Sequence, residues 1–425
     1  MVAFVKSIEL LGDQVAASLR LANGDLRRLP EIAEETLGDF DSLDGVDLNA
    51  LVEFLERTPL RQQSKSPFSD LPVTVFQARD FYIELLVWSH ATTAIHQHAF
   101  GGAFRVVRGS SIHSRYEFHQ DRRISDDLLI GAVCPLGSER LTIGSVRRID
   151  PGIQGLVHSL YHLDNPSISL IVRDGGHAAF GPQYNYYPPV LAFHRRALEA
   201  DELVVMFGRL LELTAPLDRA TFRAIWFERI ARFEFPRLAW LYLGYHAYLD
   251  PDERAEFRIC AEYTHGDLVP LLLEAVERYA SQLPLARMRQ RVLDAELRFF
   301  LALLMNVPDR ENLLRMVAEE FPERDPVECC ADWLVRLSVD EQTAVDRMKE
   351  VAQLVESSGA GAMQFSRQLR NALPHGIGFA DAKHLFQCFI ASEGKSANSD
   401  VPVTSFAALS AMPQLRALHS GVRRG

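Results

Sequence analysis

Two short stretches carry the side chains best suited to hold a metal ion, His96-Gln97-His98 and the segment from His158 to His162. If the first stretch is a strand, His96 and His98 emerge from one face about 6–7 Å apart, because alternate residues of a strand share a face. On a second strand, His158 and His162 also share a face. A rolled sheet can bring the two strands opposite each other. The pattern predicts a metal site made by His96, His98 and His158.

Histidines are concentrated in this part of the chain. Of the 14 histidines, eight fall between residues 73 and 180. His162 is interpreted as an alternative ligand, as a partner that orients a ligand, or as a hydrogen-bonded residue at the end of the barrel. His90, His113 and His119 are expected at the surface or next to a ligand. A metal-free alternative remains, in which the three candidate ligands are polar residues of a core or a cleft.

Short segments rich in β-forming residues surround these histidines. From residue 73 to about residue 180 they alternate with turn sequences at 108–110, 150–152 and 163–166, which contain Gly, Asp, Asn or Pro. Regular spacing of short strands and turns is typical of a small antiparallel sandwich or barrel. The sequence therefore predicts a β-barrel that positions the histidines.

The second half of the chain has a helical pattern. Beyond residue 198 apolar residues recur with a period of about 3.6. Asp250 and Asp325 are each followed by a Pro and, three positions after the Asp, by Glu253 and Glu328. A capping Asp, a Pro in the first turn and a Glu at the third helical position are the signals of a helix start. These two sites therefore predict helices that begin at residues 251 and 326.

The predicted fold class is α+β and multidomain, with an antiparallel β-barrel followed by an all-α helical domain. The expected segments are an N-terminal helical lead-in and linker (1–72), the β-barrel with the metal site (73–180), an aromatic and Pro-rich connector (181–198), the all-helical domain (199–392) and a loose C-terminal tail (393–425). The helical domain is expected either to form a homodimer interface or to cover the barrel.

Charge and cysteine content exclude several classes of protein. The chain of 425 residues has 45 Lys plus Arg against 56 Asp plus Glu, a net charge of -11. This balance disfavours nucleic acid or an anionic membrane as a partner. The 5 cysteines have no Cys-x-x-Cys spacing, which argues against a disulfide framework and a structural zinc cluster. With no run near the ~20 uncharged apolar residues of a membrane helix, the chain is expected to be cytoplasmic.

The two histidine stretches resemble the motifs of the cupin superfamily. That family has a His-x-His pair with a later Gly, then Pro and Gly before a single His and a downstream Asn. Here these positions read as His96-Gln97-His98 with Gly109, then Pro151, Gly155, His158 and Asn165. The resemblance covers about residues 73–180. It implies a cupin-like barrel with the three histidines as metal ligands.

Within that superfamily, the pattern is most similar to the three-His thiol dioxygenases of the cysteine-dioxygenase type. Many cupins add a Glu ligand four or five residues after the pair, where this chain has Gly102 and Ala103. The sequence departs from the dioxygenase branch at Ala103, in place of a cross-linking Cys, and at Ile171 and Arg173, in place of a His and a Tyr. The resemblance implies Fe(II) as cofactor, although Zn, Ni, Mn or Cu also fit three imidazoles.

Candidate substrate-binding residues lie near the histidines in the sequence. An Arg would hold a substrate carboxylate by two parallel hydrogen bonds. Arg79 is the first candidate, because it precedes the first core strand, and Arg115 and Arg173 are alternatives. Tyr116 and Tyr161 either orient a group bound to the metal or pack within their strands, as aromatic residues usually do.

The sequence thus predicts a mononuclear non-haem iron enzyme. Its expected activity is an O2-dependent dioxygenation of a small thiol- or amine-containing substrate. Two other hypotheses remain open. One is an O2-independent metal-dependent cupin enzyme, such as an isomerase or a hydrolase, and the other is a non-catalytic ligand-binding or regulatory cupin.

Overall fold

The computed structural model describes residues 2–40, 46–57, 63, 69–89, 93–176, 181–307 and 310–337. The helices in these ranges are α1 (Val2–Leu21), α2 (Leu29–Gly38), α3 (Leu48–Arg57), α4 (Arg195–Ala200), α5 (Glu202–Leu217), α6 (Arg219–Ala224), α7 (Phe235–Tyr245), α8 (Pro251–His265), α9 (Leu268–Arg291), α10 (Ala295–Asn306), α11 (Arg310–Glu320) and α12 (Pro326–Arg336). The strands are β1 (Leu71–Gln77), β2 (Phe81–Trp88), β3 (Ile95–His96), β4 (Gly102–Arg108), β5 (Ser111–Arg123), β6 (Leu128–Leu141), β7 (Val146–Ile149), β8 (Val157–His162), β9 (Ser167–Asp174), β10 (Asn185–Tyr187) and β11 (Leu191–Phe193).

The strands form two antiparallel sheets. The first sheet has five strands in the order β1-β2-β9-β4-β7. The second sheet closes on itself in the order β10-β11-β6-β5-β8-β3. In that closed sheet β8 lies between β5 and β3, so it contacts both the long β5-β6 hairpin and the short strand that ends at His96. The predicted fold class, an antiparallel β-barrel followed by helices in an α+β chain, is confirmed.

The end of the barrel differs from the prediction. Strands β10 and β11 lie within residues 181–198, the range predicted as a connector, and they complete the second sheet by pairing with β3 and β6. The barrel strands therefore continue to Phe193. The sequence hides these strands because each has only three residues and the intervening Pro188-Pro189 has the composition of a loop.

The N-terminal helices cover the outer face of the first sheet. Ile83, Leu85 and Val87 alternate along β2 and are buried in one cluster with apolar residues of α1, α2 and α3. Arg105 of β4 also lies on this face, and its Nη1 donates to the carbonyl of Leu37 at 2.8 Å. The guanidinium thus satisfies a carbonyl in the last turn of α2, which a helix leaves without an internal partner.

The opposite face of the first sheet packs against the second sheet. Trp88, Phe104 and Ile171 from the first sheet share a buried cluster with Leu141 and Leu160 from the second. Side chains between two packed sheets form a core about 10 Å thick. The histidines of the candidate site contact this cluster, so they lie between two layers of the protein.

The helices beyond the barrel pack directly onto it. A large cluster around Trp226 joins helices α4 to α9 with Leu128 and Phe193 of the closed sheet. Helix α10 contacts both β5 and β8. The predicted helix starts are confirmed, since Asp250 makes a capping box with Glu253 at the start of α8 and Asp325 accepts hydrogen bonds from the first turn of α12.

The described part of the chain covers only some of the predicted C-terminal segments. The end of the predicted helical domain, residues 338–392, and the predicted tail, residues 393–425, lie outside the described residues. Among the helices that the structure describes, none is long and apolar enough to cross a membrane.

Candidate metal centre

Three histidines from two parts of the chain converge between the sheets. His96 ends β3 and is the direct register partner of His158 on β8. His98 follows two residues after β3. One ring nitrogen from each residue can be chosen so that all three lie within 4.8 Å of one another. The three side chains are buried, with exposed fractions of 4%, 4% and 2% for His96, His98 and His158.

Local hydrogen bonds hold the His-x-His stretch in place. His96 donates from Nδ1 to the carbonyl of Ala94 at 2.8 Å, which turns its Nε2 away from the backbone. The carbonyl of His98 accepts from the amide of Gly152 at 2.8 Å. Gly152 has φ +85°, a conformation that favours glycine. The predicted turn at residues 150–152 therefore supports one of the candidate ligands.

Gln97, between the two histidines, is hydrogen-bonded to residues outside the cluster. Its Nε2 donates to the carbonyl of Pro182 at 3.0 Å, and its Oε1 accepts from the hydroxyl of Tyr186. These contacts join the His-x-His stretch to β10 of the closed sheet. Because side chains alternate along the chain, His96 and His98 lie between the sheets, whereas the amide of Gln97 contacts the strand that closes the barrel.

Burial keeps all three imidazoles neutral. It lowers the pKa of His96 to about 4, against the opposing effect of the hydrogen bond to Ala94. Burial, with smaller effects from the neighbouring His96 imidazole and the charge of Arg173, lowers the pKa of His98 well below its ordinary value. Burial and the neighbouring imidazoles do the same to His158. A neutral imidazole has a lone pair free to bind a metal ion.

Behind His158 lies a chain of polar contacts that the sequence did not reveal. His113, whose side chain is fully buried, places Nε2 2.9 Å from Nδ1 of His158. Its Nδ1 lies 2.9 Å from Oε1 of Glu139. Arg147 donates to the same carboxylate from Nε at 2.8 Å and also contacts it through Nη2. The sequence left His113 as a surface or neighbouring residue, because it does not show that β5 pairs with β8.

A buried arginine lies on the other side of the cluster. The guanidinium of Arg173 lies over the ring of Phe100 at 3.7 Å, and the Phe100 ring centroid is 4.5 Å from that of His98. Nη1 of Arg173 is 3.9 Å from Oε2 of Glu84. The Glu84 carboxylate is buried as well and also accepts from Thr74. Of the three arginines considered from the sequence, Arg173 is the one whose charge reaches the cluster.

The other two arginines are not brought to the histidines. Arg79 lies between β1 and β2 with 95% of its side chain exposed, and its Nε is 4.0 Å from Oδ1 of Asp80. Arg115 is the register partner of His158, but it is exposed, and the β5-β6 pairing is irregular beside it. A charged side chain stays in water unless a buried partner compensates it. The structure therefore corrects the choice of Arg79 as first candidate and does not favour Arg115.

His162 shares a face of β8 with His158 but is held elsewhere. Its ring stacks on Trp88 with centroids 4.4 Å apart, and its Nδ1 lies 2.9 Å from Oγ of Ser111. Among the described residues, the group of converging nitrogens consists of His96, His98 and His158 and does not include His162. Of the interpretations that the sequence allowed, the contacts of His162 match a hydrogen-bonded residue of the barrel.

The two tyrosine candidates lie on strand faces turned away from the cluster. Tyr161 alternates with His158 and His162 along β8 and is completely buried. The hydroxyl of Tyr116 is 3.5 Å from Oγ of Ser159 and donates to the carbonyl of Asn306 on α10 at 3.4 Å. Tyr116 therefore joins the barrel to the helices, which matches the packing interpretation and not a role at the metal.

No protein-family model matches this chain, and no curated protein matches it either. Several solved structures resemble part of it. A hydroquinone 1,2-dioxygenase in complex with Cd²⁺ and 4-hydroxybenzonitrile is 13% identical over 27% of this chain and 68% of its own, with a TM-score of 0.20. A sugar phosphate isomerase of a cupin superfamily from Silicibacter pomeroyi is 15% identical over 31% of this chain and 79% of its own, with a TM-score of 0.21. The DMSP lyase DddQ from Ruegeria pomeroyi is 11% identical over 38% of this chain and 78% of its own, with a TM-score of 0.22.

The donor set itself indicates what kind of ion fits. Three neutral imidazoles, buried and facing one point, match the ligands of divalent transition metals such as Zn, Cu, Fe or Ni. Within the described residues no carboxylate belongs to the converging group. Hard oxygen-seeking ions such as Mg²⁺ and Ca²⁺ prefer carboxylates and carbonyls. The site therefore favours a transition metal.

Proposed function

We propose that this chain is a mononuclear non-haem iron enzyme, an O2-dependent dioxygenase that acts on a small thiol- or amine-containing substrate. His96, His98 and His158 would hold Fe(II). The observation that supports this proposal is the convergence of three buried imidazoles whose ligand atoms lie within 4.8 Å of one another. An Fe(II) ion held by three neutral ligands keeps its full 2+ charge and has open positions for substrate and O2.

The side chains around the cluster would exclude water from the reaction. Phe100 lies against His98, and Phe104 lies 6.3 Å from the rings of both His113 and His158, measured between centroids. Aromatic walls strengthen electrostatic interactions within a site and suppress side reactions with water. In this role Phe100 and Phe104 act by enclosing the substrate and not by reacting with it.

Arg173 would bind an acidic group of the substrate. Its guanidinium is buried beside Phe100, with Nη1 3.9 Å from Oε2 of Glu84 and Nε donating to the carbonyl of Asp174 at 3.5 Å. A guanidinium binds a carboxylate through two parallel hydrogen bonds, which fixes the orientation of the bound molecule. The proposed substrates are therefore small thiols or amines that also carry a carboxylate, with the soft or amine donor facing the three histidines.

The test is elemental analysis of freshly purified protein together with oxygen uptake. Wild type is compared with His98→Ala, which removes one proposed ligand, and with His119→Ala, which removes an exposed imidazole from β5. Small aminothiols and amines that carry a carboxylate are then screened for oxygen consumption. We expect about one iron per chain in wild type and in His119→Ala, loss of iron in His98→Ala, and oxygen consumption that depends on iron.

Two results would overturn the proposal in favour of its alternatives. Metal-dependent turnover at an unchanged rate without oxygen would identify an O2-independent enzyme. Failure to bind any divalent transition metal would leave a non-catalytic ligand-binding protein. Metal content that is unchanged in His98→Ala would show that the ligands are wrongly assigned.

A further inference from the structure

We propose that His113 and Glu139 are positioning residues, which hold the imidazole of His158 in the tautomer with an unprotonated Nε2 and thereby set the affinity of the site for a divalent metal. This inference rests on the proposed metal site and extends it to residues that do not touch the metal. Its basis is a continuous line of contacts that starts at a partly exposed carboxylate and ends at one of the three converging histidines.

The line uses both nitrogens of His113. Nδ1 lies 2.9 Å from Oε1 of Glu139, and Nε2 lies 2.9 Å from Nδ1 of His158. The rings of His113 and His158 are nearly perpendicular, at 88°, with centroids 5.1 Å apart. The remaining nitrogen of His158, Nε2, lies 2.9 Å from Nε2 of His98 and belongs to the converging group.

The direction of each hydrogen bond follows from the carboxylate. Ionised Glu139 can only accept, so His113 must donate from Nδ1. Burial lowers the pKa of His113 despite the contact with Glu139, so the ring is neutral and carries one proton, and its Nε2 is therefore an acceptor. His158 must then donate from Nδ1, which leaves the lone pair of the neutral ring on Nε2. Glu139, acting through His113, thus determines which ring nitrogen of His158 is free to bind a metal.

Arg147 keeps the carboxylate of Glu139 ionised. Burial by itself would raise the pKa of Glu139, but the hydrogen bonds from Arg147 and His113 outweigh burial and hold this pKa below its usual range. Arg147 lies on β7 of the first sheet, whereas Glu139 lies on β6 of the second. The carboxylate is therefore held by both sheets.

The strand register fixes the same geometry. His113 and Glu139 are direct partners across β5 and β6, and β5 also pairs with β8, which carries His158. Neighbouring strands hold their side chains at set distances. The line of contacts is therefore set by the sheet and needs no movement to form. Partners of this kind fix ring orientation at metal sites, and their loss typically weakens metal binding about 10- to 100-fold.

Zinc titration of chelator-treated protein tests the inference, with a competing chelator to report affinity. His113→Leu removes the contact to His158, His113→Gln keeps a side-chain acceptor, and His119→Gln is the control on the same strand. We expect Zn²⁺ affinity to fall about 10- to 100-fold in His113→Leu, to recover in part in His113→Gln, and to stay at the wild-type value in His119→Gln. Circular dichroism and thermal unfolding check that each variant folds.

Nitrogen-15 NMR of histidine-labelled protein gives a readout that packing alone would not move. In chelator-treated wild type we expect His158 to carry its proton on Nδ1, and in Glu139→Gln we expect this preference to weaken or reverse. A wild-type His158 protonated on Nε2, or a folded His113→Leu with unchanged Zn²⁺ affinity, would overturn the inference. If wild type binds no metal, the proposed function fails, whereas the tautomer of His158 still decides whether the line of contacts exists.

Discussion

Nε2 of His98 lies 2.9 Å from Nε2 of His158, although the two residues are 60 positions apart in the chain. The His98 backbone is held by Gly152, and the His158 ring is held by His113. The backbone of one ligand and the ring of the other are thus held in place. Residues held in this way and presenting nitrogen atoms to one point are suited to share an ion, because ligands fixed before binding lose little freedom when they bind.

Removing a ligand should abolish stoichiometric metal binding. We expect His158→Ala to retain far less metal than wild type, with a loss in affinity larger than the roughly 10- to 100-fold typical of an outer partner. Elemental analysis after dialysis against free Fe(II) or Zn²⁺ measures the effect. His162→Ala, which removes an imidazole from the same face of β8, should keep its metal. Loss of metal in His162→Ala would instead make that residue part of the site.

Arg173 should determine affinity for acidic substrates. A hydrogen bond to a charged group contributes about 1.5–3 kcal/mol, so Arg173→Gln should lower kcat/KM for a carboxylate-bearing substrate roughly 10- to 100-fold, mainly through KM. The same variant should discriminate little between that substrate and its amide analogue. Arg79→Gln, at an exposed turn, should leave these constants unchanged. A large effect in Arg79→Gln and none in Arg173→Gln would reverse the assignment.

Acid should destabilise the chelator-treated protein below neutral pH. The pKa of His96 falls from 6.5 to about 4 on burial. Above pH 6.5 the His96 ring is unprotonated in both the folded and the unfolded chain, so it does not lower the free energy of unfolding. Below that pH the unfolded state takes up a proton that the folded state does not, and stability falls until the folded ring titrates. His96 alone accounts for up to about 3 kcal/mol of this loss.

Urea unfolding between pH 7.5 and pH 4 measures this dependence. His98 and His158 should add to the loss, because burial lowers their pKa values in the same direction. His96→Gln should flatten the profile, whereas His119→Gln should follow wild type. A free energy of unfolding that stays constant across this range would contradict the burial of neutral imidazoles.

Asn306 should couple the helices to the strands that carry the site. Its carbonyl accepts from Ser114 at 2.6 Å, and its side-chain oxygen accepts from Ser159 at 3.2 Å. These serines adjoin His113 and His158 in sequence. Removing the partner of a buried hydroxyl costs about 1–3 kcal/mol, so Asn306→Ala should lower the free energy of unfolding by about that amount. Urea unfolding beside the exposed control Asn49→Ala tests this, and equal midpoints would exclude the coupling.

The sequence by itself determined which histidines could act together, that residues 73–180 form β-strands, and where two of the later helices begin. The i, i+2 spacing of His96 and His98 predicted that the two side chains share a side of the backbone, because successive side chains of extended chain point to opposite faces. Asp250 and Asp325 marked helix starts, because a capping side chain satisfies amides only a few residues away. These features depend only on residues a few positions apart in the chain, so they can be read from the sequence.

Only the tertiary structure decided which distant residues complete the site. The pairing of β5 with β8 brought His113 to His158, and the pairing of β9 with β2 and β4 placed Arg173 in the interior while Arg79 stayed at a turn. The periodicity of a strand gives the face on which each side chain lies but not the strand that lies beside it. Strand neighbours depend on how the sheet closes and which faces are buried, and these are properties of the whole chain.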